Sequence, residues 1–267
     1  FDPEDHKQEK LDSGISTGYE NMDNILDGGP SIKSLNAVMG ESNIGKSIFL
    51  ANFAVNAVKN GHNTAFITAE MADKKVIKRL GANMLNIKMS DYDKASRDSA
   101  SIKKRLNNIN SGGVLPTGKL FIKEYPTSEA TVADLEGYIN ELEESIGEKI
   151  KFVIVDYINI LADQRGASSE NTYVRIKNIA EDLRAMMVRG EHVGWTVTQV
   201  NGSGLESSDL NQTNIAESKA LIHTCDTLFG LIQTPDMYAD EKYYLKSIKV
   251  RDSGGKYVRI GFDINYD

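Results

Sequence analysis

"GESNIGKS", at residues 40–47, separates an apolar run typical of a strand, "SLNAVM" at 34–39, from "IFLANFAVNAV" at 48–58, whose apolar residues have helical spacing. Two glycines, a lysine and a serine at this spacing satisfy the phosphate-binding P-loop pattern. The glycines let the backbone curl so that its N–H groups point at phosphate oxygens, and the following helix adds its positive end. The predicted nucleotide-binding residues are Gly40, Glu41, Ser42, Asn43, Ile44, Gly45, Lys46 and Ser47.

The bulk composition is that of an ordinary soluble globular protein. The chain has 267 residues, of which 40% are hydrophobic and 26% charged, and its formal net charge is −7. This charge argues against a general nucleic-acid coat, although local basic patches remain compatible with it. The single cysteine, Cys225, excludes an intrachain disulfide, and four scattered histidines show no zinc-ligand spacing. No apolar run reaches the length of a membrane span. The lone cysteine fits a reducing compartment, and we expect a cytoplasmic protein.

Strand-like and helix-like segments alternate along the chain, which predicts a mostly parallel sheet with right-handed crossovers and helices on both faces. The predicted strands are Leu35–Met39, Thr64–Ala69, Lys119–Lys123, Phe152–Asp156 and Val193–Gln199. Helical stripes run through 49–58, 132–142 and 176–187, and Thr131 with Asp134 resembles a capping box. Near the end, Tyr243–Arg251 and Lys256–Ile264 flank "DSGG", which predicts a β-hairpin. Residues 1–18 are polar and are interpreted as a linker or arm.

Magnesium ligation is predicted for two residues. In a P-loop the lysine, here Lys46, reaches the β- and γ-phosphates, and the hydroxyl after it, here Ser47, binds Mg²⁺. Such sites need a further carboxylate for the metal. "FVIVD" supplies Asp156 at the carboxyl end of an apolar strand, where ligands collect in open α/β sheets. An aspartate that only caps a turn is the alternative interpretation of Asp156.

Two further strand ends carry polar side chains suited to hydrolysis. Glu70 follows "TAFITA", and a carboxylate there can polarise the water that attacks a γ-phosphate. The alternative is a charge at the start of the helix "MADKKVIKRL". Gln199 ends "VGWTVTQ", where an amide can hydrogen-bond the γ-phosphate and report its loss to the following loop. A solvated glutamine is the alternative.

Lys249 and Arg251 are two residues apart, which puts both on one face of a strand, with Ile248 and Val250 on the other. This arrangement fits a pair of basic fingers that reach a neighbouring subunit's nucleotide. A solvated strand face is the commoner origin of such a pattern.

The order of these elements resembles the RecA-like motor domain of DnaB-type replicative helicases, most closely the T-even-phage branch. "ISTGYENMDNILDGG" is similar to the family's entry segment, "GESNIGKS" to its first motif, and "TAEM" to its glutamate motif. "VIVDY" is similar to the metal-aspartate motif, "TVTQV" to the glutamine motif, and "IKVRDSGGKYVRIGFD" to the closing strand pair. The resemblance extends over nearly the whole chain from Ile15 onward.

The resemblance implies a RecA-like P-loop NTPase core over residues 19–267, with ATP and Mg²⁺ as cofactors. It implies that Glu70 activates water, that Gln199 senses the γ-phosphate, and that Lys249 and Arg251 act in trans. It also implies a homo-hexameric ring with head-to-tail contacts that moves 5′→3′ on single-stranded DNA, with primase and a helicase loader as partners. A phage-infected or bacterial cytoplasm is the implied location. The family's N-terminal collar domain is not found in these residues, which predicts a motor fragment.

DNA contacts are expected in two segments after the last central strand. "NIAESKA" at 214–220 matches a stretch where bacterial relatives have Arg-Glu-Ser-Gly. Here the arginine is replaced by alanine, Glu217 is retained, and Lys219 stands in place of the glycine. "NGSGLESSDLNQT" at 201–213 is too long for a tight turn and is interpreted as a loop facing the pore or the subunit interface. Its predicted contact residues are Asn201, Gly202 and Ser203.

Two other functions remain compatible with these motifs. Head-to-tail contacts can also build an open filament, so the chain fits a RecA-like recombinase. A nucleotide-dependent DNA clamp or switch is a non-catalytic alternative. The Lys-x-Arg hairpin favours the helicase over the recombinase, and the pairing of Glu70 with Asp156 favours hydrolysis over simple binding.

Overall fold

A computed structural model describes residues 14–111, 118–166, 172–199, 216–251, 254–255 and 257–264, with the side chains of 106–111 and 216–218 excepted. The strands are β1 Ser34–Gly40, β2 Thr64–Thr68, β3 Leu120–Glu124, β4 Phe152–Asp156, β5 Val193–Gln199, β6 Thr227–Ile232, β7 Lys242–Val250 and β8 Arg259–Asp263. The helices are α1 Glu20–Ile25, α2 Lys46–Lys59, α3 Asp73–Leu85, α4 Tyr92–Ala95, α5 Ser99–Ser111, α6 Val132–Ile146, α7 Thr172–Gly190, α8 Ala216–Thr224 and α9 Pro235–Ala239.

All described strands join one sheet in the order β3-β2-β4-β5-β1-β6-β7-β8. The strands from β3 to β6 are parallel, whereas β7 and β8 are antiparallel additions at one edge. The predicted α/β class, with a mostly parallel sheet and a C-terminal hairpin, is confirmed. The strand that precedes the P-loop, β1, is central, with β5 and β6 on either side of it.

Helices cover both faces of the sheet because alternate strand residues point to opposite sides. On one side, Leu35 and Met39 of β1 pack with apolar residues of α6, α7 and α8. On the other side, Val38 of β1 packs with α1, α2 and α3. The strands β1, β2 and β4 are buried along their whole length, as expected for parallel strands between two helical layers.

Local signals placed most of these elements correctly. The bounds of β4 and β5 are those predicted. The strand β2 ends one residue earlier than predicted, and β1 and β3 differ from the prediction by one residue at each end. Thr131 and Asp134 form the expected capping box of α6. The helix after the P-loop ends at Lys59, and Gly61 follows with a φ of 88°, as a helix-terminating glycine requires.

The sequence prediction missed β6. Its residues, "TLFGLI", are fully buried next to β1. A short apolar run that is buried on both faces lacks the alternation that identifies a strand, and a helical segment precedes this one directly. The observed sheet therefore has one more parallel strand between β1 and the hairpin than predicted.

The first hairpin strand, β7, has the predicted length but begins and ends one residue earlier, whereas β8 is shorter than predicted. The assumed alternation of side chains in β7 is wrong for Ile248. The pairing of β6 with β7 shifts register between Leu228 and Phe229, so Leu228 faces Lys249 while Phe229 faces Ser247. A bulge of this kind adds a residue to one strand and breaks the two-residue period. Ile248 consequently packs with the α7 and α8 side, whereas Val250 packs with the α2 side.

Residues 14–18, at the end of the polar arm, contact the domain. Ile15 is 2% exposed and Thr17 is fully buried. The Thr17 hydroxyl donates to Asp23 Oδ1 at 2.7 Å, and its carbonyl accepts from Asn56 Nδ2 at 2.9 Å. Among the described helices, none has the length and apolar composition needed to cross a bilayer.

Candidate nucleotide-binding site

The carboxyl ends of β1, β2, β4 and β5 meet at one edge of the sheet and border a cleft of about 300 Å³. Parallel strands bring their carboxyl ends together, which is why residues far apart in sequence line one cleft. The lining includes Ser42, Asn43, Gly45, Lys46, Ser47, Ile48, Glu70, Met71, Arg79, Asp156, Tyr157, Val197 and Gln199. The predicted metal, glutamate and glutamine residues therefore line one cleft together with five of the predicted P-loop residues, whereas Gly40, Glu41 and Ile44 are not among the lining residues.

The P-loop turns sharply into α2. Gly45 has a φ of 90°, in the left-handed region that favours glycine, and no side chain of the described residues caps the start of the helix. The uncapped N–H groups and the positive helix end together suit an anion. Lys46 Nζ donates to the carbonyl of Gly40 at 3.0 Å and also to that of Glu41. Burial lowers the pKa of Lys46, and the carboxylates of Glu70, Asp156 and Glu41 oppose this effect.

Asp156 is a buried carboxylate without an ordinary hydrogen bond. It is 1% exposed, and neither carboxylate oxygen has a partner of normal geometry among the described residues, although the Ser47 hydroxyl lies close by. Burial raises the pKa of Asp156 to about 6; nearby Glu70 adds to the rise, while Ser47, Arg79 and Lys46 oppose it. Two unpartnered anionic oxygens beside a hydroxyl form an oxygen donor set that fits Mg²⁺.

Glu70 follows β2 and faces the same cleft from the strand beside β4. Thr68 is in register with Asp156, and the N–H of Ala69 donates to the carbonyl of Asp156 at 3.0 Å. Burial raises the pKa of both Asp156 and Tyr157, and because this bond ties the two strand ends together, Glu70 lies close enough to add to both rises. Its side chain is exposed to the cleft rather than buried in a capping interaction.

Gln199 is held against the P-loop. It is the last residue of β5 and is in register with Gly40, the last residue of β1. Its side-chain amide donates a hydrogen bond to the Ser42 hydroxyl. The amide is therefore part of the cleft and contacts the loop that would hold phosphate.

Arg79 is a cleft residue that the sequence prediction missed. It lies on α3, nine residues after Glu70, and its Nη1 is 3.5 Å from the Met71 sulfur. A thioether is a weak acceptor, so within the described part of the chain the guanidinium lacks the strong anionic partner that arginine normally has. A single arginine on a charged helix has no pattern by which the sequence could have identified it.

Lys249 and Arg251 do not line the cleft. They lie at the end of β7, two strands from β1 on the side away from β2 and β4. Arg251 Nη1 donates to Asp226 Oδ1 at 2.6 Å, and Lys249 Nζ donates to the carbonyl of Ile222 at 2.7 Å. They share the edge that carries the hairpin, away from the P-loop of their own chain.

The predicted DNA-contact residues are only partly described. Lys219 is exposed near the start of α8. Glu217 lies in the same helix, but its side chain is outside the described part of the structure. Asn201, Gly202 and Ser203 also lie outside the described residues.

Comparisons with known proteins identify relatives of this chain. The chain is 36% identical over 231 residues to the "DnaB-like replicative helicase" of Enterobacteria phage T4; the match covers 86% of this chain and 48% of that protein. The chain thus spans about half the length of that relative. Two solved structures share the fold. The "ATPase Domain of G40P" has a TM-score of 0.74 at 19% identity, and the match covers 96% of this chain and 90% of that chain.

The second structure is described as "The Structure Of A DnaB-Like Replicative Helicase And Its Interactions With Primase". It has a TM-score of 0.75 at 18% identity, and the match covers 94% of this chain and 60% of that chain. The family model of the DnaB-like helicase C terminal domain matches residues 14–249, from the segment that contacts α1 to Lys249 on β7. The cleft brings together the P-loop, the buried Asp156, and the side chains of Glu70 and Gln199. This arrangement and the family match lead to the same assignment. The chain belongs to the DnaB-like helicase C-terminal domain family.

Proposed function

We propose that the chain is an ATP-hydrolysing motor domain that moves on single-stranded DNA. The single observation that carries this proposal is the cleft in which Lys46, Ser47, Asp156, Glu70 and Gln199 meet. A protein that only bound ATP would need the loop and the metal ligands but not a further carboxylate facing the γ-phosphate side. Membership of the DnaB-like family supports the same reaction class.

The proposed binding residues have distinct tasks. The backbone around Gly45 and the uncapped start of α2 would hold the phosphates, and Lys46 would transfer its hydrogen bonds from loop carbonyls to phosphate oxygens. Ser47 and Asp156 would hold Mg²⁺, which supplies positive charge to the β- and γ-phosphate oxygens when bound. Arg79 would contribute a second cation, because its present partner among the described residues is only the Met71 sulfur.

The proposed catalytic residues act on the attacking water and on the γ-phosphate. Glu70 would accept a proton from that water, as its exposure to the cleft at the end of β2 allows. Gln199 would bond the γ-phosphate or the water, exchanging its present contact with Ser42. Lys249 and Arg251 would reach a neighbouring subunit's ATP, which their separation from their own cleft supports.

The mechanical function follows from assembly. We propose a homo-hexameric ring with head-to-tail contacts, in which each nucleotide is completed by the adjacent chain's basic pair. Single-stranded DNA would pass through the pore, contacted by Lys219, Glu217 and the segment that begins at Asn201, Gly202 and Ser203, with unwinding in the 5′→3′ direction. A primase and a helicase loader are proposed partners; for the primase, support comes from the structural relative that is described together with its primase interactions.

ATP hydrolysis by the purified chain, measured with and without single-stranded DNA over a range of protein concentrations, tests this proposal. Shared active sites predict turnover per subunit that rises cooperatively with protein concentration, and a DNA-filled pore predicts stimulation by the strand. Turnover that is independent of both would contradict the motor. Long filaments on DNA in negative-stain images, in place of closed rings, would favour the recombinase.

A further inference from the structure

A carboxylate at the start of β6 lies between two arginines. Asp226 accepts from Arg184 Nε at 3.0 Å and Nη2 at 2.9 Å, and from Arg251 Nη1 at 2.6 Å. The backbone N–H of Leu35 donates to the same carboxylate at 3.0 Å, and the N–H of Asp226 donates to the carbonyl of Leu35 at 2.8 Å. Asp226 is thus held by β1 and by α7 through contacts that do not involve Arg251.

Arg251 binds Asp226 through two hydrogen bonds. Its backbone N–H donates to the carbonyl of Asp226 at 3.1 Å, and its guanidinium uses one N–H for the carboxylate. A guanidinium carries five N–H donors, and this one makes no other hydrogen bond to the described residues. The Arg251 side chain is 42% exposed, whereas that of Asp226 is 8% exposed. The remaining donors therefore have access to a ligand from outside the chain.

Lys249 is held in a different way. Its Nζ donates to the carbonyls of Ile222 at 2.7 Å and His223 at 3.3 Å, at the carboxyl end of α8. The negative end of a helix suits a cation, so this lysine is committed to its own chain. Burial lowers the pKa of Lys249, and the nearby Arg251 charge acts in the same direction. Of the two basic residues, Arg251 has the more available head group.

We propose that Asp226 is a positioning residue for Arg251: it holds the guanidinium by one N–H and turns the others toward the nucleotide of the adjacent subunit. This inference rests on the proposed trans role of Arg251. Arg184 and the Leu35 N–H keep the carboxylate rigid, so the position of Arg251 is defined relative to β1 and not only by its own flexible side chain.

Removal of the Asp226 charge would have a specific effect on Arg251. An asparagine would leave Arg184 and Arg251 close together without the anion between them, and like charges would drive the exposed guanidinium away. The P-loop cleft does not include Asp226, so nucleotide binding in the same chain should persist. A misplaced catalytic group costs on the order of 100-fold in rate.

The test uses subunit mixing. Asp226→Asn is expected to lower ATP turnover by about 10- to 100-fold, while affinity for a fluorescent ATP analogue stays within about twofold. Addition of Lys46→Ala subunits should restore hydrolysis, because they present a correctly held Arg251 to intact P-loops. Conversely, Arg251→Ala should be rescued by Lys46→Ala subunits but not by the double variant Lys46→Ala/Asp226→Asn. Glu136→Gln is the matched control, since it removes a carboxylate that binds Arg189 of α7 through two bonds of 2.7 Å.

Three results would overturn the inference. If the double variant rescues Arg251→Ala as well as Lys46→Ala does, Asp226 does not position the finger, and the proposed function stands. If Asp226→Asn loses nucleotide binding, the residue supports the fold instead. If Arg251→Ala is not rescued by Lys46→Ala at all, the trans role fails, and the positioning role of Asp226 fails with it.

Discussion

The side-chain amide of Gln199 donates a hydrogen bond to the hydroxyl of Ser42, which ties the end of β5 to the middle of the P-loop. Gln199 lies two residues before the segment 201–213, in which we expect DNA contacts, so its amide connects the phosphate site to the start of that segment. We therefore expect the arrival or loss of a γ-phosphate to change the hydrogen bond of this amide.

Gln199→Ala is expected to leave ATP affinity within about twofold and to reduce DNA-stimulated turnover by about tenfold or more. The reason is that the amide contributes only when a γ-phosphate or its water replaces Ser42 as its partner. Steady-state hydrolysis with and without single-stranded DNA measures the effect. Ser42→Ala removes the same hydrogen bond but keeps the amide, so it should retain the stimulation; equal loss in both variants would contradict the sensor role.

Glu70→Gln is expected to retain ATP binding and to lose turnover by about 10²- to 10⁴-fold. Glutamine preserves the shape of the side chain but cannot accept the proton from the attacking water. Binding of a fluorescent ATP analogue and single-turnover hydrolysis measure the two properties separately. Glu129→Gln, an exposed carboxylate outside the cleft, serves as control. Hydrolysis at the wild-type rate in Glu70→Gln would show that the base has been assigned wrongly.

Asp156→Asn is expected to abolish Mg²⁺-dependent hydrolysis and yet to stabilise the nucleotide-free protein. Because burial raises the pKa of Asp156 from its ordinary value to about 6, the native state binds more protons than the unfolded state between about pH 4 and pH 6. Stability of the wild type should fall as pH rises through this window. Above pH 6 the buried charge of Asp156 should lower the free energy of unfolding by its full amount, on the order of 3 kcal/mol.

Urea unfolding of the wild type and of Asp156→Asn from pH 4 to pH 8 measures the difference between their free energies of unfolding. This difference should be small at pH 4 and constant above pH 6. Asp134→Asn provides a control of opposite sign. The bonds from the Thr131 side chain and backbone lower the pKa of Asp134, so its contribution to stability is present above about pH 4 and is lost as pH falls. A pH-independent difference between wild type and Asp156→Asn would contradict the buried-charge account.

Arg79→Ala is expected to raise the KM for ATP by about tenfold and to lower turnover, with partial recovery in Arg79→Lys. The guanidinium has a thioether as its partner and lowers the pKa of Asp156, so it supplies positive potential to the cleft. Lys78→Ala is the control: Lys78 is adjacent in sequence but pairs with Asp93 at 2.5 Å outside the cleft. Unchanged kinetics in Arg79→Ala would remove this residue from the site.

Much of the fold was predictable because its signals are local. The glycine spacing of the P-loop, the capping box of Thr131 and Asp134, and the apolar runs of β4 and β5 each depend on a few adjacent residues. Short-range dihedral preferences and side-chain periodicity determine such features directly. The strand β6 escaped prediction because its burial depends on its neighbour β1, far away in the sequence.

The identities of most site residues could also be predicted from the sequence, but their contacts could not. Lys46, Ser47, Glu70, Asp156 and Gln199 were each identified at the end of a strand or the start of a helix. Arg79 was missed because a single arginine on a charged helix has no distinguishing pattern. The bulge that turns Ile248 toward α7 was likewise beyond the reach of an alternation rule, since a register shift arises between two paired strands.

By itself, the sequence determined that this protein carries a phosphate-binding loop in an alternating α/β chain, because backbone curvature at glycine and apolar periodicity are properties of short segments. Only the tertiary structure decided which strand ends share a cleft, that Asp156 is buried without a hydrogen-bonded partner among the described residues, and that Asp226 lies between Arg184 and Arg251. Those relationships depend on the order of strands in the sheet. Strand order is set by the burial of two helical layers at once, which no short segment encodes.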